Sequence, residues 1–401
     1  DVEYYIPDRQ KEGYGFNRDA LQRLADAGTD LLVSVDCGIS AVQEAAEIQG
    51  KLDLVITDHH LPGESLPEAL AVVNPHREDC AYPDKNLSGV GVAFKLCQAL
   101  WKNMKAQDFS EDLEIVALGT IADIVPLLGE NRKIVRLGLK AMQNTSLPGM
   151  QALLEVANLQ DKEINAGHVG FVLAPRLNAA GRMASAMCGT ELLITTDRDR
   201  AHELAVQLDE ENQERQSVER EILAAAEEQL QSMDLEKNHV IVLAGENWHP
   251  GVIGIVASRI VDKYYRPTII ISSKDGIGKG SCRSIAGFHM YDALDSCREL
   301  LLGFGGHAQA AGLSIELSHL DEFQAALNAF AEAHLQEEDY TPVVDIEFEL
   351  APEQVSLELI EELAALEPYG MGNPKPRFGC RNLRGSYAQA IGREGQHLRF
   401  K

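Results

Sequence analysis

Leu52-Asp53-Leu54-Val55-Ile56-Thr57-Asp58-His59-His60 is the stretch whose reading decides the fold. A short, mostly apolar run stops abruptly at a carboxylate and two imidazoles. Such a run predicts a strand buried in a parallel sheet. The same pattern occurs about 20 residues upstream, where Leu31-Leu32-Val33-Ser34-Val35 stops at Asp36-Cys37-Gly38. Helical periodicity fills residues 40–49 between the two runs. Further helices are predicted over 89–101 and 111–122, the second ending at Asp123. Alternating strands and helices predict an α/β fold with a parallel sheet. Ligands of such sheets bind at the carboxyl ends of the strands. Asp36, Asp58, His59 and His60 fall at two of those ends.

Working outward, residues 197–236 carry many charges and no Pro or Gly, which predicts one long helix. Leu204, Leu208, Ile222, Leu223, Ala226 and Leu230 supply its sparse apolar stripe, as expected of a connector between domains. Residues 238–340 restart a second α/β pattern. It has a strand at 239–244, a helix at 251–264, a strand at 268–271, a glycine-rich stretch at 276–287 and a helix at 290–301. From 343 onward the pattern changes to a strand, a helix at 355–366, a turn at 367–374 and short β-like runs, the start of a third, β-rich module. The predicted boundaries are 1–196, 197–236, 237–342 and 343–401. Both ends of the sequence read as strands under way, without an initiator Met, as in a piece of a longer protein.

The 401 residues carry 45% hydrophobic and 24% charged side chains, which excludes wholesale disorder. No uncharged apolar run is long enough to span a bilayer. Seven scattered cysteines without a CxxC pair fit reduced thiols in the cytoplasm better than disulfides or a zinc ribbon, and no signal peptide is seen.

Four constellations can carry chemistry. Asp36, Asp58, His59, His60 and Asp123 form a mixed Asp/His set suited to Mn2+ or Mg2+. A single Asp at such a place also reads as a helix cap, but the set reads as a metal site. Gly303-Phe304-Gly305-Gly306-His307-Ala308-Gln309-Ala310-Ala311-Gly312 can bring backbone N–H groups, a following helix N-terminus and His307 to a phosphate. A plain tight turn explains the same glycines. Gly278-Lys279-Gly280-Ser281-Cys282-Arg283-Ser284 offers a guanidinium fork and hydroxyls to a phosphate, or else a strand with a solvated Arg. Pro175-Arg176-Leu177-Asn178-Ala179-Ala180-Gly181-Arg182-Met183 reads as a brace at a domain interface or as a clamp on a nucleic-acid backbone.

Together these motifs resemble one family. Asp58-His59-His60 is the defining triplet of the DHH phosphoesterases, and Gly305–Gly312 resembles the GGHxxAAG signature of their DHHA1 domain. Ile6-Pro7-Asp8-Arg9 with Glu12-Gly13-Tyr14-Gly15, the Arg176–Arg182 block, Trp248–Gly254 and Gly280–Ser284 are similar to the RecJ-type exonucleases of that superfamily. Leu366–Pro374 is similar to the segment that leads into their OB domain. The resemblance implies a parallel-sheet DHH domain, a long helix, an α/β DHHA1 domain and the beginning of an OB-type module. It implies 5′→3′ exonuclease action on single-stranded DNA, by two-metal phosphodiester hydrolysis with Mn2+ or Mg2+, in repair and recombination. Asp36 matches a residue that bridges two metals, and His59 and Asp123 match ligands of the second. Asp58 supports the site and His60 matches the histidine that contacts the scissile phosphate. Arg9, Tyr14, Asn178, Arg182, Ser281, Arg283, Ser284, Gly305, Gly306 and His307 match positions suited to DNA or its 5′ phosphate, with Tyr14 available for base stacking. The implied partners are a single-strand-binding protein and a helicase, in a bacterial cytoplasmic monomer with no membrane contact. The family's first Asp-rich motif has no counterpart here, so the chain on its own is expected to be inactive or nearly so.

Two other readings share these residues. A DHH phosphodiesterase of short oligonucleotides or cyclic dinucleotides has the same two motifs but lacks an extension after residue 340. A non-catalytic DNA-binding scaffold has no need of five intact metal-site residues. The net charge of −26 first argues against a polyanion. Its placement removes that objection. Residues 201–240 hold 11 acidic and 3 basic side chains, and residues 316–370 hold 15 acidic and none basic. The rest of the chain is nearly balanced, which leaves room for one cleft that admits DNA.

Overall fold

The computed structural model describes residues 2–7, 12–107, 109, 111–183, 186–392, 395 and 397–400. Strands β1 (Leu31–Val35), β2 (Asp53–Thr57) and β3 (Ala71–Val73) form a parallel sheet in that order. Thr57 is in register with Val35 on one side and Val73 on the other, so the three strands end level. Only β2 is buried as predicted. β1 is an edge strand and leaves Leu31, Val33 and Val35 exposed. β3 has three residues, too few to show a periodicity.

Helices α1 (Arg18–Asp26) and α2 (Val42–Ile48) cover one region of the sheet through Leu21, Ala45, Ile48, Leu54 and Ile56. Helix α3 (Gly89–Lys105) contacts β1 and β2, and its Val92 and Phe94 pack with Val116 of α4 (Leu113–Ala122). Residues 125–196, for which the sequence pattern predicts no element, are helical: α5 (Gly129–Met142), α6 (Pro148–Val156), α7 (Ala166–His168), a π-helical turn (Val169–Leu173), α8 (Ala174–Met183) and α9 (Met187–Ile194). Their shared core of Val135, Met142, Met150, Leu153, Leu173 and Leu192 also takes Leu204 and Leu208 of α10 (Arg198–Gln231).

The long helix α10 therefore belongs to two cores. Its 34 residues span about 50 Å. The C-terminal half sends Ile222, Ala226 and Leu230 against β4 (Ile241–Glu246), β5 (Thr268–Lys274) and α11 (Ile253–Tyr264). Between the two apolar stretches lies a buried polar belt. Arg215 Nη2 donates to Asn212 Oδ1 at 3.0 Å and Nη1 to Glu219 Oε2 at 2.7 Å. Arg259 of α11 donates to the other oxygen of Glu219 at 3.2 Å. One carboxylate thus joins the middle of the connector to the second sheet's helix. At its other half α10 is pinned to α8 by Arg176, 2.8 Å from Asp209.

The second sheet adds β6 (Ile277–Arg283), β7 (Leu301–Gly306) and β8 (Ala310–Glu316), in the order β4-β5-β6-β8-β7. In this sheet only the β4–β5 pair is parallel. Helices α12 (Met290–Ser296) and α13 (Leu320–His334) pack on it through Met290, Leu294, Phe323 and Leu327. Two expectations are corrected here. The helix predicted over 290–301 ends at Ser296, and the glycine run is not followed by a helix. Leu301-Leu302-Gly303-Phe304-Gly305-Gly306 forms strand β7 instead, because three glycines in six residues remove helix propensity, and β8 pairs back on it. The remaining chain holds a parallel pair of β9 (Phe348–Glu349) and β10 (Phe378–Gly379), helix α14 (Leu357–Ala364) and an antiparallel pair of β11 (Ala388–Ile391) and β12 (His397–Phe400). Among the described residues no helix is long and apolar enough to cross a membrane.

Removing Glu219 would leave the buried Arg215 guanidinium without its counter-charge. Glu219→Ala is expected to cost about 3 kcal/mol in chemical denaturation. The double change Arg215→Ala with Glu219→Ala is expected to cost less than the sum of the singles. Additive costs would mean that the belt carries no coupling.

Candidate metal centre

The level ends of β1 and β2 bring two acidic loops side by side. Asp58 is 1% exposed and collects four donors. The backbone N–H of Ile39 donates to Oδ2 at 3.0 Å, and those of His59 and His60 donate to Oδ1 at 2.8 and 3.2 Å. His60 Nδ1 lies 2.7 Å from the same Oδ1. Burial alone would raise the Asp58 pKa, but these donors outweigh it and hold the carboxyl below its usual range. An ionised Asp58 only accepts, so His60 carries its hydrogen on Nδ1 and presents the lone pair of Nε2. Asn74 donates to the His60 carbonyl at 2.9 Å and fixes the loop from the β3 side.

His59 points the other way. Its Nε2 is buried, 3.1 Å from Asp36 Oδ1 and 3.4 Å from Asp123 Oδ2. Neither contact has hydrogen-bond geometry, so among the described residues Nε2 has no hydrogen-bond partner. The three atoms are close enough to share a cation and poorly aimed to share a proton. Burial works against a charged His59, yet Asp36 and Asp123 outweigh it and raise its pKa. Burial and the Asp36 carboxylate raise Asp123 against the opposing pull of His59. This is an anionic pocket of oxygen and imidazole donors that fits a hard divalent cation. Asp36, His59 and His60 also each offer a ligand atom within 4.8 Å of the others. His60 thus shares the pocket with Asp36 and His59, as the mixed Asp/His set in the sequence leads one to expect.

The backbone shows how the pocket is built. Asp36 sits in the left-handed region at φ +62, with its N–H donating to Thr57 O at 2.9 Å. Its carboxylate lies over the first residue of α3, where a Cβ on Gly89 would stand 2.1 Å from Oδ1. Only glycine fits there, and it is not among the residues expected from the sequence, because a lone Gly at a helix start carries no signal. Asp123 caps the C-terminus of α4, and α3 and α4 are tied by a 2.9 Å bond between Ser88 and Thr120. Tyr14 Oη donates to the Asp36 carbonyl at 2.5 Å, and its ring meets His60 edge-on at 5.9 Å. Tyr14 therefore braces the pocket and also exposes its ring beside it.

The second sheet holds a different constellation. A Cβ on Gly254 would lie 2.8 Å from Ser281 Oγ and 3.0 Å from Arg283 Nη2, so both side chains lie on the first turn of α11. Burial depresses the basicity of Arg283, and among the described residues it has no carboxylate partner. Ser281, Gly312 and Gly305 are neighbours across β6, β8 and β7, and the space above Gly305 is open. His307 is exposed at the β7–β8 turn, where its N–H donates to Ala310 O at 2.8 Å. Gly306 pairs with Ala311 at the same end. Ser284 differs: its hydroxyl donates to Phe288 O at 2.7 Å and braces the loop. Asn178 is exposed in a cleft of about 590 Å³ with Phe171, Pro175, Arg220, Ile255 and Arg259. Arg176 lies on the same helix but serves the α10 brace. Arg9 and the Arg182 side chain lie outside the described residues.

An anionic strand-end pocket, a long shared helix and a second sheet with a glycine-lined basic face define the DHH–DHHA1 class. Residues 1–120 match the DHH family, N-terminal domain, residues 237–333 match the DHHA1 domain and residues 346–401 match the RecJ OB domain. The chain is 42% identical over 403 residues to the single-stranded-DNA-specific exonuclease RecJ of Bacillus subtilis, covering all of this chain and 50% of that protein. It is 40% identical to the RecJ of Dickeya dadantii, over 95% of this chain and 70% of that protein. A crystal structure of RecJ from Thermus thermophilus in complex with Mn2+ superposes with a TM-score of 0.83 at 35% identity, covering 96% of this chain and 56% of that one. The chain belongs to the RecJ family. It spans half the length of the Bacillus relative.

Gly89→Ala is expected to push the Asp36 carboxylate off its place and weaken Mn2+ binding by roughly tenfold or more. Calorimetric titration with Mn2+ checks this; unchanged affinity would show that Asp36 is not held by the α3 contact.

Proposed function

We propose that this chain carries the catalytic centre of a 5′→3′ exonuclease for single-stranded DNA. The observation that carries the reading is the buried Nε2 of His59 between the Asp36 and Asp123 carboxylates, without a hydrogen-bond partner among the described residues, beside a His60 oriented by buried Asp58. Asp36, His59 and Asp123 would hold divalent cations, Mn2+ or Mg2+, which when bound polarise the phosphoryl group and activate water. Both Mn2+ and Mg2+ are named for solved structures of the Thermus relative.

The residues of the chain supply the rest. His60 turns Nε2 toward the scissile phosphate, where its lone pair takes a proton from the attacking water and the resulting N–H faces the phosphate oxygens, with Asp58 fixing its tautomer. Arg283, Ser281 and the first turn of α11 take the 5′ phosphate, since a helix N-terminus and a guanidinium both favour it. Gly305, Gly306 and His307 line the adjoining face. Asn178, Arg220 and Arg259 offer the strand a polar wall along α8, α10 and α11, and the exposed Phe171 offers a stacking surface. Ser284 holds the loop in place through its bond to Phe288. In this reading residues 1–196 are the DHH domain, 197–236 the connector, 237–342 the DHHA1 domain and 343–401 part of an OB module. The protein acts as a monomer in the bacterial cytoplasm, in repair and recombination, where a helicase and a single-strand-binding protein present its substrate.

The test is Mn2+-dependent release of nucleotides by the intact protein from 5′-phosphorylated single strands, with blunt duplex as the comparison. Equal release from duplex would refute strand selectivity. His60→Ala is expected to lower kcat by roughly 100-fold or more with strand binding kept. Arg283→Ala is expected to raise KM by roughly tenfold for 5′-phosphorylated ends, and less for 5′-hydroxyl ends.

A further inference from the structure

Leu366-Glu367-Pro368-Tyr369-Gly370-Met371-Gly372-Asn373-Pro374 lies more than 200 residues from Asp123 in sequence, yet it is seated on the loop that leaves it. Asp123 is followed by Ile124 at φ +61, a conformation that a β-branched residue rarely adopts. The loop then runs to Leu127, which is 3% exposed. From inside, Asn131 donates to Pro126 O at 3.1 Å. From outside, Met371 O accepts the N–H of Leu127 at 2.7 Å. Gly370 lies so close that a Cβ would stand 2.6 Å from Leu127 Cδ1. Arg132 of α5 donates to Leu366 O at 2.7 Å and fixes the other end of the turn.

The turn is stiff in its own right. Asn373 Nδ2 donates to Leu366 O at 3.0 Å and to Pro368 O at 2.8 Å. Gly370 and Asn373 exchange backbone bonds at 2.9 and 3.1 Å. Tyr369 Oη donates to Leu363 O at 2.5 Å and ties the turn to α14. A braced turn from the C-terminal region is thus fastened four residues past Asp123.

We propose that the 366–374 turn is a positioning element for Asp123 and couples the C-terminal module to the metal centre. This rests on the reading of Asp123 as a metal ligand. A shift of that module, for instance when it takes up a strand, reaches Asp123 through Met371, Leu127 and the strained Ile124. The turn thereby tunes how firmly the last ligand is held, without touching substrate or metal.

Gly370→Ala and Arg132→Ala in the intact protein test this, with Arg132→Lys as the conservative variant. The readouts are Mn2+ affinity by calorimetry, the electron paramagnetic resonance signal of bound Mn2+, and kcat and KM across a Mn2+ series. Both alanine variants are expected to bind Mn2+ roughly tenfold more weakly. Their kcat falls at limiting Mn2+ and recovers at saturating Mn2+, while KM for the strand stays unchanged. Arg132→Lys is expected to restore most of the affinity. Wild-type Mn2+ affinity in both alanine variants, or lost strand affinity with Mn2+ affinity intact, overturns the proposal. Should Gly370→Ala not fold, Arg132→Ala decides alone. Wild-type Mn2+ binding by Asp123→Ala would instead overturn the ligand reading on which the proposal rests.

Discussion

The site depends on one buried carboxylate. Asp58 has no solvent to share its charge with, so its four donors are an obligation of the fold. Three of them are backbone N–H groups from two loops, and each would cost about 1–3 kcal/mol if left buried without an acceptor. Satisfying them fixes the path of both loops at once. Asp36 follows from the first loop and His59 and His60 from the second, which brings ligand atoms of all three into one pocket. The level register of Val35, Thr57 and Val73 makes this possible, because it delivers both loops to the same edge of the sheet.

The long helix imposes the second constraint. Its apolar residues serve one core near Leu204 and Leu208 and another near Ile222 and Ala226. A helix that bridges two cores needs a polar middle that still packs, and Asn212, Arg215 and Glu219 fill it. The shared carboxylate of Glu219 reaches Arg259, so the second sheet is registered against the first through the helix. The cleft with Asn178, Arg220 and Arg259 opens beside this belt. Its position is therefore set by the same interaction that spaces the two halves.

Much of this is legible in the sequence, and the parts that are not have physical reasons. β1, β2 and α10 are readable because their patterns are long or sharply ended. The five residues of the candidate pocket are readable because they stand at strand and helix ends. Helices α5 to α9 are harder, since Leu, Ala and Met are spread around several faces of a helical layer that is buried on many sides. The glycine run reads as a turn and a following helix because glycines suit a phosphate loop. Pairing across β6, β8 and β7 uses them as an open face instead. Gly89 is invisible because its value lies in the absence of a Cβ, and no pattern in one sequence shows what its neighbour would meet.

The uneven charge now has a structural meaning. One acidic block lies on α10 and the segment just after it, and the other runs from the end of β8 through α13 and α14. Neither contains Ser281, Arg283 or the Asp36 pocket. A polyanion therefore meets repulsion along the two acidic blocks, while Arg283, which has no carboxylate partner among the described residues, stands outside both. In the proposed reading, electrostatics of this form discourage coating by DNA and favour entry of one end. They also give the metal pocket its role as a sink, since its own carboxylates repel a phosphate until a cation reverses the sign. In the proposed reading, strand selectivity and metal dependence rest on the same charge distribution.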